Sequence, residues 1–388
     1  MPIKNRLAEM HAEITGWRRH LHENPELDFD VHETAAFVQD RLREFGVDEI
    51  TPGIGKTGVV AVIKGKTDTQ GRVIGLRADM DALPIHEATG LEYASKIPGK
   101  MHACGHDGHT AMLLGAAKYL AETRNFDGTA VLIFQPAEEG SGGGRYMVED
   151  GMMDRWNIQE VYGMHNMPGL PAGEFAIRPG PLLASADMFD IVIEGQGGHA
   201  AAPHEAIDPN LATAHVLVAL QSIASRNVDP LKQVVVSVCT MRSDTEAHNV
   251  IPQTVLLRGT VRALDAGVRD LAEEKLRRIV TLTAQAQGCL ANIDYRRGYP
   301  ITENAPDNTV YAADVAETVA GAVDRDTPPI MAGEDFSYML NARPGAYIMI
   351  GNGDGATVHH PEYNFNDDAI PAGCSWFAEM IERRMPAA

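Results

Sequence analysis

The densest group of potentially reactive side chains lies in the run Met101–His109. The side chains there that could ligate a metal are His102, Cys104, His106, Asp107 and His109. A thiolate and an imidazole two residues apart suit a borderline-soft divalent metal such as zinc. Gly105 lets the backbone turn so that its two neighbours can point at one ion. A His-rich surface turn with a packed cysteine is the alternative, so this run alone predicts a metal site without selecting its ligands.

Two adjacent carboxylates, Glu138 and Glu139, form a second candidate group. They follow the apolar run 130–134 and precede the Gly-rich segment 140–144. Functional sites in open α/β sheets collect at strand ends. One carboxylate there can coordinate a metal while the other stays free as a general base. A solvated acidic turn is the alternative, and the flanking strand and glycines favour the functional interpretation.

Single histidines supply the remaining candidates. His165 follows the apolar run 161–164, and His359 and His360 follow the Gly-rich loop 351–355. A lone histidine is more often packed or solvated than bound to a metal, so each is a weak signal by itself. Together with the first two groups, they offer ligands from separate loops of one sheet. That set is enough for two metals about 3.5–4 Å apart that share a bridging water.

Strands and helices alternate around these candidates. One continuous amphipathic helix is predicted at the start from apolar residues at three- and four-residue steps. Those residues are Ile3, Leu7, Met10, Ile14, Trp17 and Leu21. Short β-branched runs at 59–63, 73–76 and 130–134 alternate with helical patterns such as 110–120. Buried strands that alternate with helices indicate an α/β sheet covered on both faces.

A different element order occupies residues 186–295. It reads strand 188–193, helix 210–225, strand 234–240, strand 255–261, helix 269–286 and strand 291–295. This is the β-α-β-β-α-β order of ferredoxin-like folds. We therefore expect a discontinuous catalytic domain, residues 1–185 and 296–388, with a smaller α+β lid domain, residues 186–295, inserted into it.

Charge and composition restrict the partners and the compartment. Asp and Glu number 53 against 33 Lys and Arg, a formal net charge of -20. Such a surface repels phosphate backbones and anionic lipid, so we expect neither nucleic acid nor a membrane as partner. No apolar stretch reaches the roughly 20 residues of a membrane span, and no secretory signal is recognisable. The scattered cysteines do not form a disulfide framework, which favours the cytoplasm.

Several motifs together resemble the M20 metallopeptidase family. The match is strongest to its amidohydrolase branch of hippurate hydrolases, auxin-conjugate hydrolases and N-acetyl-amino-acid deacetylases. The motifs occur in order over nearly the whole chain: Arg77–Pro84, Met101–His109, Glu138–Gly140, Gly197–His204, Asn249–Pro252, Gly259–Arg262, Gly333–Ser337 and His359–Pro361. The resemblance is specific for the family and does not select a substrate.

The resemblance implies roles for the candidates in the larger domain. The implied metal ligands are Cys104, His106, Glu139, His165 and His359. Glu138 matches the general base, and Asp79 matches a carboxylate that orients a ligating imidazole. His360 falls at a variable place, and Asp107 is expected to be structural. Glu334 and Asp335 are expected to support the site from outside the ligand set, without a specific role.

The same resemblance assigns substrate contacts to the lid domain. His199 matches a histidine that helps to hold the substrate carbonyl, often in the active site of a partner subunit. Asn249 and Arg262 match residues that meet the substrate carboxylate. The family commonly dimerises through its lid, so we expect a homodimer, or a tetramer built from one.

The implied reaction is metal-dependent hydrolysis of the amide bond of an N-acylated amino acid, with hippurate-, N-acetyl- and indole-acetyl-type substrates all open. It would need two divalent ions per subunit, zinc or manganese. A dipeptidase or carboxypeptidase of the same family is one alternative. A catalytically silent binding protein is another, against which the complete ligand set with Glu138 argues.

Overall fold

The computed structural model describes residues 4–387. Its α-helices are α1 (Asn5–Glu9), α2 (His11–Glu23), α3 (His32–Phe45), α4 (His106–Thr123), α5 (Gly143–Glu149), α6 (Met152–Arg155), α7 (Pro209–Leu220), α8 (Ala266–Ala286), α9 (Pro306–Ala320), α10 (Ser337–Ala342) and α11 (Ile370–Arg384). Its strands are β1 (Glu49–Ile54), β2 (Gly58–Lys64), β3 (Val73–Asp79), β4 (Thr129–Gln135), β5 (Glu160–Pro168), β6 (Phe175–Ala176), β7 (Gly180–Leu183), β8 (Ser185–Glu194), β9 (Gly198–His199), β10 (Val234–Ser243), β11 (Val250–Ile251), β12 (Thr254–Ala263), β13 (Leu290–Tyr299), β14 (Thr302–Asn304), β15 (Val323–Asp324) and β16 (Gly345–Gly353).

The described chain divides into two compact units. The larger unit comprises the residues up to Leu182, Glu303–Pro328 and the residues from Asp335 onward. The smaller unit comprises Leu183–Thr302 and Pro329–Glu334. The smaller unit therefore includes a short second segment, which the element pattern of the sequence assigns to the larger domain. No helix among residues 4–387 is both long and apolar enough to cross a bilayer.

A mixed sheet forms the centre of the larger unit, with strand order β1-β2-β4-β3-β5-β16-β6-β15. Strand β3 pairs in parallel with β4 and with β5, and β16 pairs in parallel with β5. The carboxyl ends of β4, β3, β5 and β16 therefore lie at one edge of the sheet, where α/β proteins build their sites. Every residue of β3 is buried, which requires cover on both faces.

Helix α4 packs against α2 and α11 in the core of this unit. The approach is close at Gly115, where a Cβ atom would lie 2.6 Å from Sγ of Cys374 and 2.7 Å from Cδ1 of Ile14. The helix begins at His106, earlier than the pattern 110–120 predicts. The first turn of α4 therefore belongs to the chemistry-bearing run, and its apolar remainder anchors that run in the core.

The N-terminal segment differs from the single helix that its pattern predicts. It is divided at Met10 into α1 and α2. Both halves still turn their apolar side to the core, since Leu7, Met10, Ile14, Trp17 and Leu21 are all buried. Ile3, the first residue of the predicted stripe, lies outside the described residues.

The smaller unit contains an antiparallel sheet of order β10-β12-β8-β13. Helices α7 and α8 share one apolar cluster with it. Along the chain the order is β8-α7-β10-β12-α8-β13, the ferredoxin-like arrangement. Asp208 and Asp265 cap the two helices by accepting a main-chain N–H of the first turn. The predicted helix 210–225 ends earlier than expected, and a short π-helical segment, Ile223–Asn227, follows it.

Candidate metal centre

The parallel strands of the larger unit place the candidate ligands at one edge of the sheet. Strand β4 ends just before the Glu138–Glu139 pair, and His165 lies near the end of β5. Strand β16 ends shortly before His359, and α4 begins at His106. The chain direction of these strands thus explains why residues distant in sequence meet in space.

The predicted ligands fall into two overlapping groups that share Cys104. One group is Cys104, His106 and His165, and the other is Cys104, Glu139 and His359; within each group the ligand atoms lie within 4.8 Å of one another. Sγ of Cys104 is 3.3 Å from Nε2 of His165, and Nε2 of His359 is 3.2 Å from Oε1 of Glu139. Two groups of three with a common thiol match the donor set of a two-metal centre.

The imidazole of His106 is oriented toward this cluster. Its Nδ1 lies 2.8 Å from the carbonyl oxygen of Asp81, so Nδ1 carries the proton and donates it. Its Nε2 is buried and finds no hydrogen-bond partner among the described residues. A buried ring nitrogen without a hydrogen-bond partner is costly. A metal ion at this place would satisfy it, so the donor set fits the metals that the sequence predicts.

The electrostatics of the cluster also favour a cation. Burial lowers the pKa of His106, but the carboxylates of Asp79 and Asp81 outweigh it and raise that pKa to about 10. Burial, together with the charges of Glu139 and Glu138, raises the pKa of the Cys104 thiol well above its usual range. Surrounding negative charge thus stabilises positive charge here, and a bound metal would allow a thiolate and a neutral imidazole to coexist.

Backbone geometry at Gly105 allows its two neighbours to ligate. Its φ of 87° is left-handed, and a Cβ atom there would lie 2.3 Å from Nδ2 of Asn166 and 2.5 Å from the hydroxyl of Tyr363. Any other residue would therefore clash and be strained. Ala137 and His359 also have positive φ, 55° and 66°, a conformation that is uncommon for non-glycine residues and is found at functional sites among other places.

His109 lies beside the cluster but uses both ring nitrogens for other contacts. Its Nε2 accepts the main-chain N–H of Asn166 at 2.9 Å, so the proton is on Nδ1. Nδ1 donates it to Oδ1 of Asp79 at 2.7 Å. The other carboxylate oxygen of Asp79 lies 3.7 Å from Nε2 of His106. The imidazole to which Asp79 hydrogen-bonds is therefore that of His109, which has no role in the sequence-based assignment.

Asp81 is the clearest functional residue that the sequence analysis misses. Its carboxylate accepts the main-chain N–H of Glu138 at 2.9 Å and that of Glu139 at 3.0 Å. Its Oδ1 also lies 3.5 Å from Nδ1 of His106. One buried carboxylate thereby sets the loop of the carboxylate pair against the start of α4. The second Asp of the motif Arg77–Pro84 is the only signal for it in the sequence.

The other two candidates of the run Met101–His109 lie away from the ligand atoms. The Asp107 carboxylate is 2.8 Å from Nδ1 of His22 and 3.5 Å from Nη1 of Arg18, in keeping with the structural role expected for it. His102 is buried, and within residues 4–387 neither of its ring nitrogens has a hydrogen-bond partner. Burial lowers its pKa to about 3, so it is neutral.

The candidate substrate residues lie in the smaller unit. His199 on β9 and Asn249 line one open depression of about 470 Å³. Strands β9 and β11 pair next to it, with His199 opposite Val250. Arg262 lies on β12, half-buried and outside this depression, and burial lowers its pKa. The structure thus brings two of the three together within the smaller unit.

Residues 75–383 match the sequence profile of peptidase family M20/M25/M40. The chain belongs to this family. The resemblance drawn from the motifs is thereby confirmed, and the M20 chain is a hydrolase of amide bonds.

Relatives of this M20 chain include the hippurate hydrolase of Campylobacter jejuni, 42% identical over 96% of this chain and 97% of the relative. The N-acetyl-L-cysteine deacetylase of Bacillus subtilis is 41% identical over 97% and 89%. Among solved structures, the YXEP protein of Bacillus subtilis, a dinuclear metal-binding peptidase of the M20 family, aligns with a TM-score of 0.85 and 35% identity over 97% and 99%. The predicted α/β fold class is confirmed.

Cys104→Ala removes the ligand that both groups share. After dialysis against zinc, we expect this variant to retain well under one metal per chain, compared with about two in the unaltered protein, because both groups lose a donor. His359→Ala should lose only about one metal. Mass spectrometry of bound metal measures the stoichiometry.

The matched control is Cys239→Ser, since Cys239 is an exposed free thiol in the smaller unit. It should keep the full metal content. Full retention of both metals by Cys104→Ala would show that the shared-thiol arrangement is wrong.

Proposed function

We propose that this chain hydrolyses the amide bond of N-acylated amino acids with the help of two divalent metal ions, releasing a carboxylic acid and a free amino acid. The observation that carries the proposal is the pair of ligand groups sharing Cys104, with the Glu138 carboxylate within 4.8 Å of the ligand atoms of His106 and Glu139. The relatives support the substrate class. They include an IAA-amino acid hydrolase of Arabidopsis thaliana, 38% identical over 95% of this chain.

Five residues of the larger unit would hold the two metals: Cys104, His106, Glu139, His165 and His359. Thiolate and imidazole donors favour zinc, whereas carboxylate and imidazole also suit manganese. Metals bound there would polarise the substrate carbonyl and lower the pKa of the attacking water. The free cysteines agree with a reducing compartment, and we place the reaction in the cytoplasm.

Glu138 is the general base in this proposal. It is buried beside the ligands, and its side-chain Oε1 accepts the main-chain N–H of Asp335. It takes a proton from water as the water attacks the carbonyl carbon, and it passes that proton to the leaving nitrogen as the amide bond breaks. Glu139, its neighbour, would ligate a metal, so the two adjacent carboxylates would have different tasks.

Residues of the smaller unit would recognise the substrate. His199 would donate a hydrogen bond to the carbonyl oxygen as negative charge develops on it. Asn249 and Arg262 would bind the carboxylate of the amino-acid part, for which a guanidinium offers two parallel hydrogen bonds. A free α-carboxylate next to the scissile amide would then distinguish substrates from other amides.

We extend the proposal to a homodimer, or a tetramer built from it, formed through the smaller unit. Strand β10 is an edge of its sheet, and α7 exposes Leu211 and Val218 by 53% and 73%. Open edges and exposed apolar side chains favour association. Sedimentation velocity at micromolar concentration checks this: we expect at least twice the 42.0 kDa chain mass, and a single species of chain mass would contradict it.

Glu138→Gln preserves the size of the base but removes its ability to accept the proton. We expect unchanged metal content and a kcat lower by a factor of about 100 to 10,000. The assay is release of free amino acid from acetyl-, benzoyl- and indole-acetyl-amino acids, with metal-stripped and zinc- or manganese-restored protein. Glu149→Gln, at an exposed carboxylate of α5, is the control and should remain active.

Each result of that assay has a defined meaning. A near-normal kcat in Glu138→Gln would refute the assignment of Glu138 as the general base. Faster cleavage of unblocked dipeptides than of N-acyl amino acids by the metal-restored protein would favour the dipeptidase alternative. Metal binding without turnover of any substrate would favour a silent binding protein.

Arg262→Ala should weaken the preference for substrates with a free carboxylate. The comparison is hippurate against its primary amide, which differs only in that group. Hydrogen bonds to a charged group contribute about 1.5–3 kcal/mol, so we expect the ratio of the two kcat/KM values to fall roughly 10- to 100-fold. Arg258→Ala, on the same strand and 59% exposed, should leave the ratio unchanged. An unaltered ratio in Arg262→Ala would remove Arg262 from the carboxylate site.

A further inference from the structure

A single buried guanidinium joins two carboxylates at the end of β3. Arg77 is fully buried. Its Nη1 donates to Oδ2 of Asp79 at 2.7 Å, and its Nη2 donates to Oδ1 of Asp335 at 3.0 Å. Its Nε donates to Oε1 of Gln135 at 2.9 Å. Lysine has a single nitrogen and could not span these acceptors with the same fixed geometry.

The Asp335 carboxylate is held from several directions. Besides Arg77, Nε2 of Gln135 donates to its oxygens at 2.7 and 2.9 Å, and the main-chain N–H of Gly144 donates at 2.8 Å. A buried carboxylate is tolerated only with such partners. Since each partner belongs to a different part of the larger unit, the position of Asp335 is fixed by the packing of the sheet and its loops.

The main chain of Asp335 reaches the proposed base. Its N–H donates to Oε1 of Glu138 at 3.4 Å, a long hydrogen bond of the kind that tightens when a reactive complex forms. The main-chain N–H of Glu138 is meanwhile held by Asp81. The base is thus located at its backbone by one aspartate and at its side chain by another.

The loop after Glu138 is packed tightly against Asp335, which is an independent sign that their distance matters. A Cβ atom at Gly144 would lie 2.8 Å from the carbonyl oxygen of Asp335 and 3.1 Å from Oε1 of Gln135. Only glycine allows this approach. The short distance lets the Gly144 N–H reach the Asp335 carboxylate and closes the loop that carries the base.

We propose that Arg77 and Asp335 are positioning residues for the reaction: Arg77 fixes the carboxylates of Asp79 and Asp335, and the main-chain N–H of Asp335 aims the Glu138 carboxylate. This inference rests on the proposed function, in which Glu138 is the base. The Arg77 guanidinium thereby links two aspartates. Asp79 lies beside His106 and His109, and the main-chain N–H of Asp335 donates to Glu138.

Asp335→Asn tests the second half of the inference. The amide keeps the side-chain size and the main-chain N–H, but its NH₂ group must face a donor, either Gly144 N–H or Gln135 Nε2, so the peptide shifts. We expect kcat to fall by a factor of about 10 to 100, KM to stay within about threefold, and metal content to be unchanged. A purely structural role would not separate kcat from KM and metal content in this way.

A double variant tests whether Asp335 acts through Glu138. If it does, Glu138→Gln combined with Asp335→Asn should be about as slow as Glu138→Gln alone. The matched control is Glu160→Gln. Glu160 accepts from Arg384 at 2.8 Å at the start of β5, the end opposite His165, so it should lose stability without loss of kcat.

Arg77→Lys keeps the positive charge but loses the three guanidinium nitrogens that donate to Gln135, Asp79 and Asp335. We expect a lower kcat and also weaker metal binding in competition with a chelator, because Asp79 is released as well as Asp335. If Asp335→Asn does not fold, Arg77→Lys decides alone, and normal kcat with normal metal affinity overturns the inference.

The outcomes separate the inference from the proposed function. Normal kcat in folded Asp335→Asn, or full additivity in the double variant, overturns the positioning role while an inactive Glu138→Gln leaves the proposed function intact. Normal kcat in Glu138→Gln overturns the proposed function itself.

Discussion

Buried negative charge is the constraint on which the larger unit depends. Asp79, Asp81 and Asp335 are at most 1% exposed, and Glu138 is 7% exposed. Each carboxylate taken out of water costs several kcal/mol unless cations or N–H donors surround it. Arg77 supplies a cation on one side, and main-chain N–H groups supply donors between the carboxylates. On the remaining side lies the thiol and imidazole cluster, where a metal would supply the missing positive charge. Metal binding and stability of this unit are therefore linked.

Much of the metal centre could be predicted because its residues are of types that commonly ligate metals. Cys104 and His106 flank a glycine, and the pair Glu138–Glu139 follows a strand, so their chemistry is visible in the sequence. The sequence assigns no specific role to Asp81, whose carboxylate accepts two main-chain N–H groups, or to Asp335, which reaches Glu138 through its own main-chain N–H. Every residue has such a group, and only the folded chain shows which of them converge on a carboxylate.

The structure was also needed to decide which side chains of the run Met101–His109 point toward the ligand cluster. Its five potential ligands look alike in sequence, and their directions are decided by the point at which α4 begins. His106 and His109 lie in the first turn of that helix, but the main-chain N–H of Asn166 occupies the free nitrogen of His109. Packing also sets two further features that the local pattern of apolar residues does not show. The opening helix is divided at Met10, and Pro329–Glu334 belongs to the smaller unit.

The sharing of Cys104 by two ligand groups has a consequence for the newly made protein. Cys104 and His359 are separated by more than half of the chain, and strands β4, β5 and β16 must assemble before their loops meet. Bringing such distant segments together costs loop-closure entropy. During translation, Cys104 and His106 are synthesised long before His359, so the ligand set cannot be complete until nearly the whole chain has been made. Of the two groups that share Cys104, the one with His106 and His165 would therefore have its residues synthesised well before the one that needs His359.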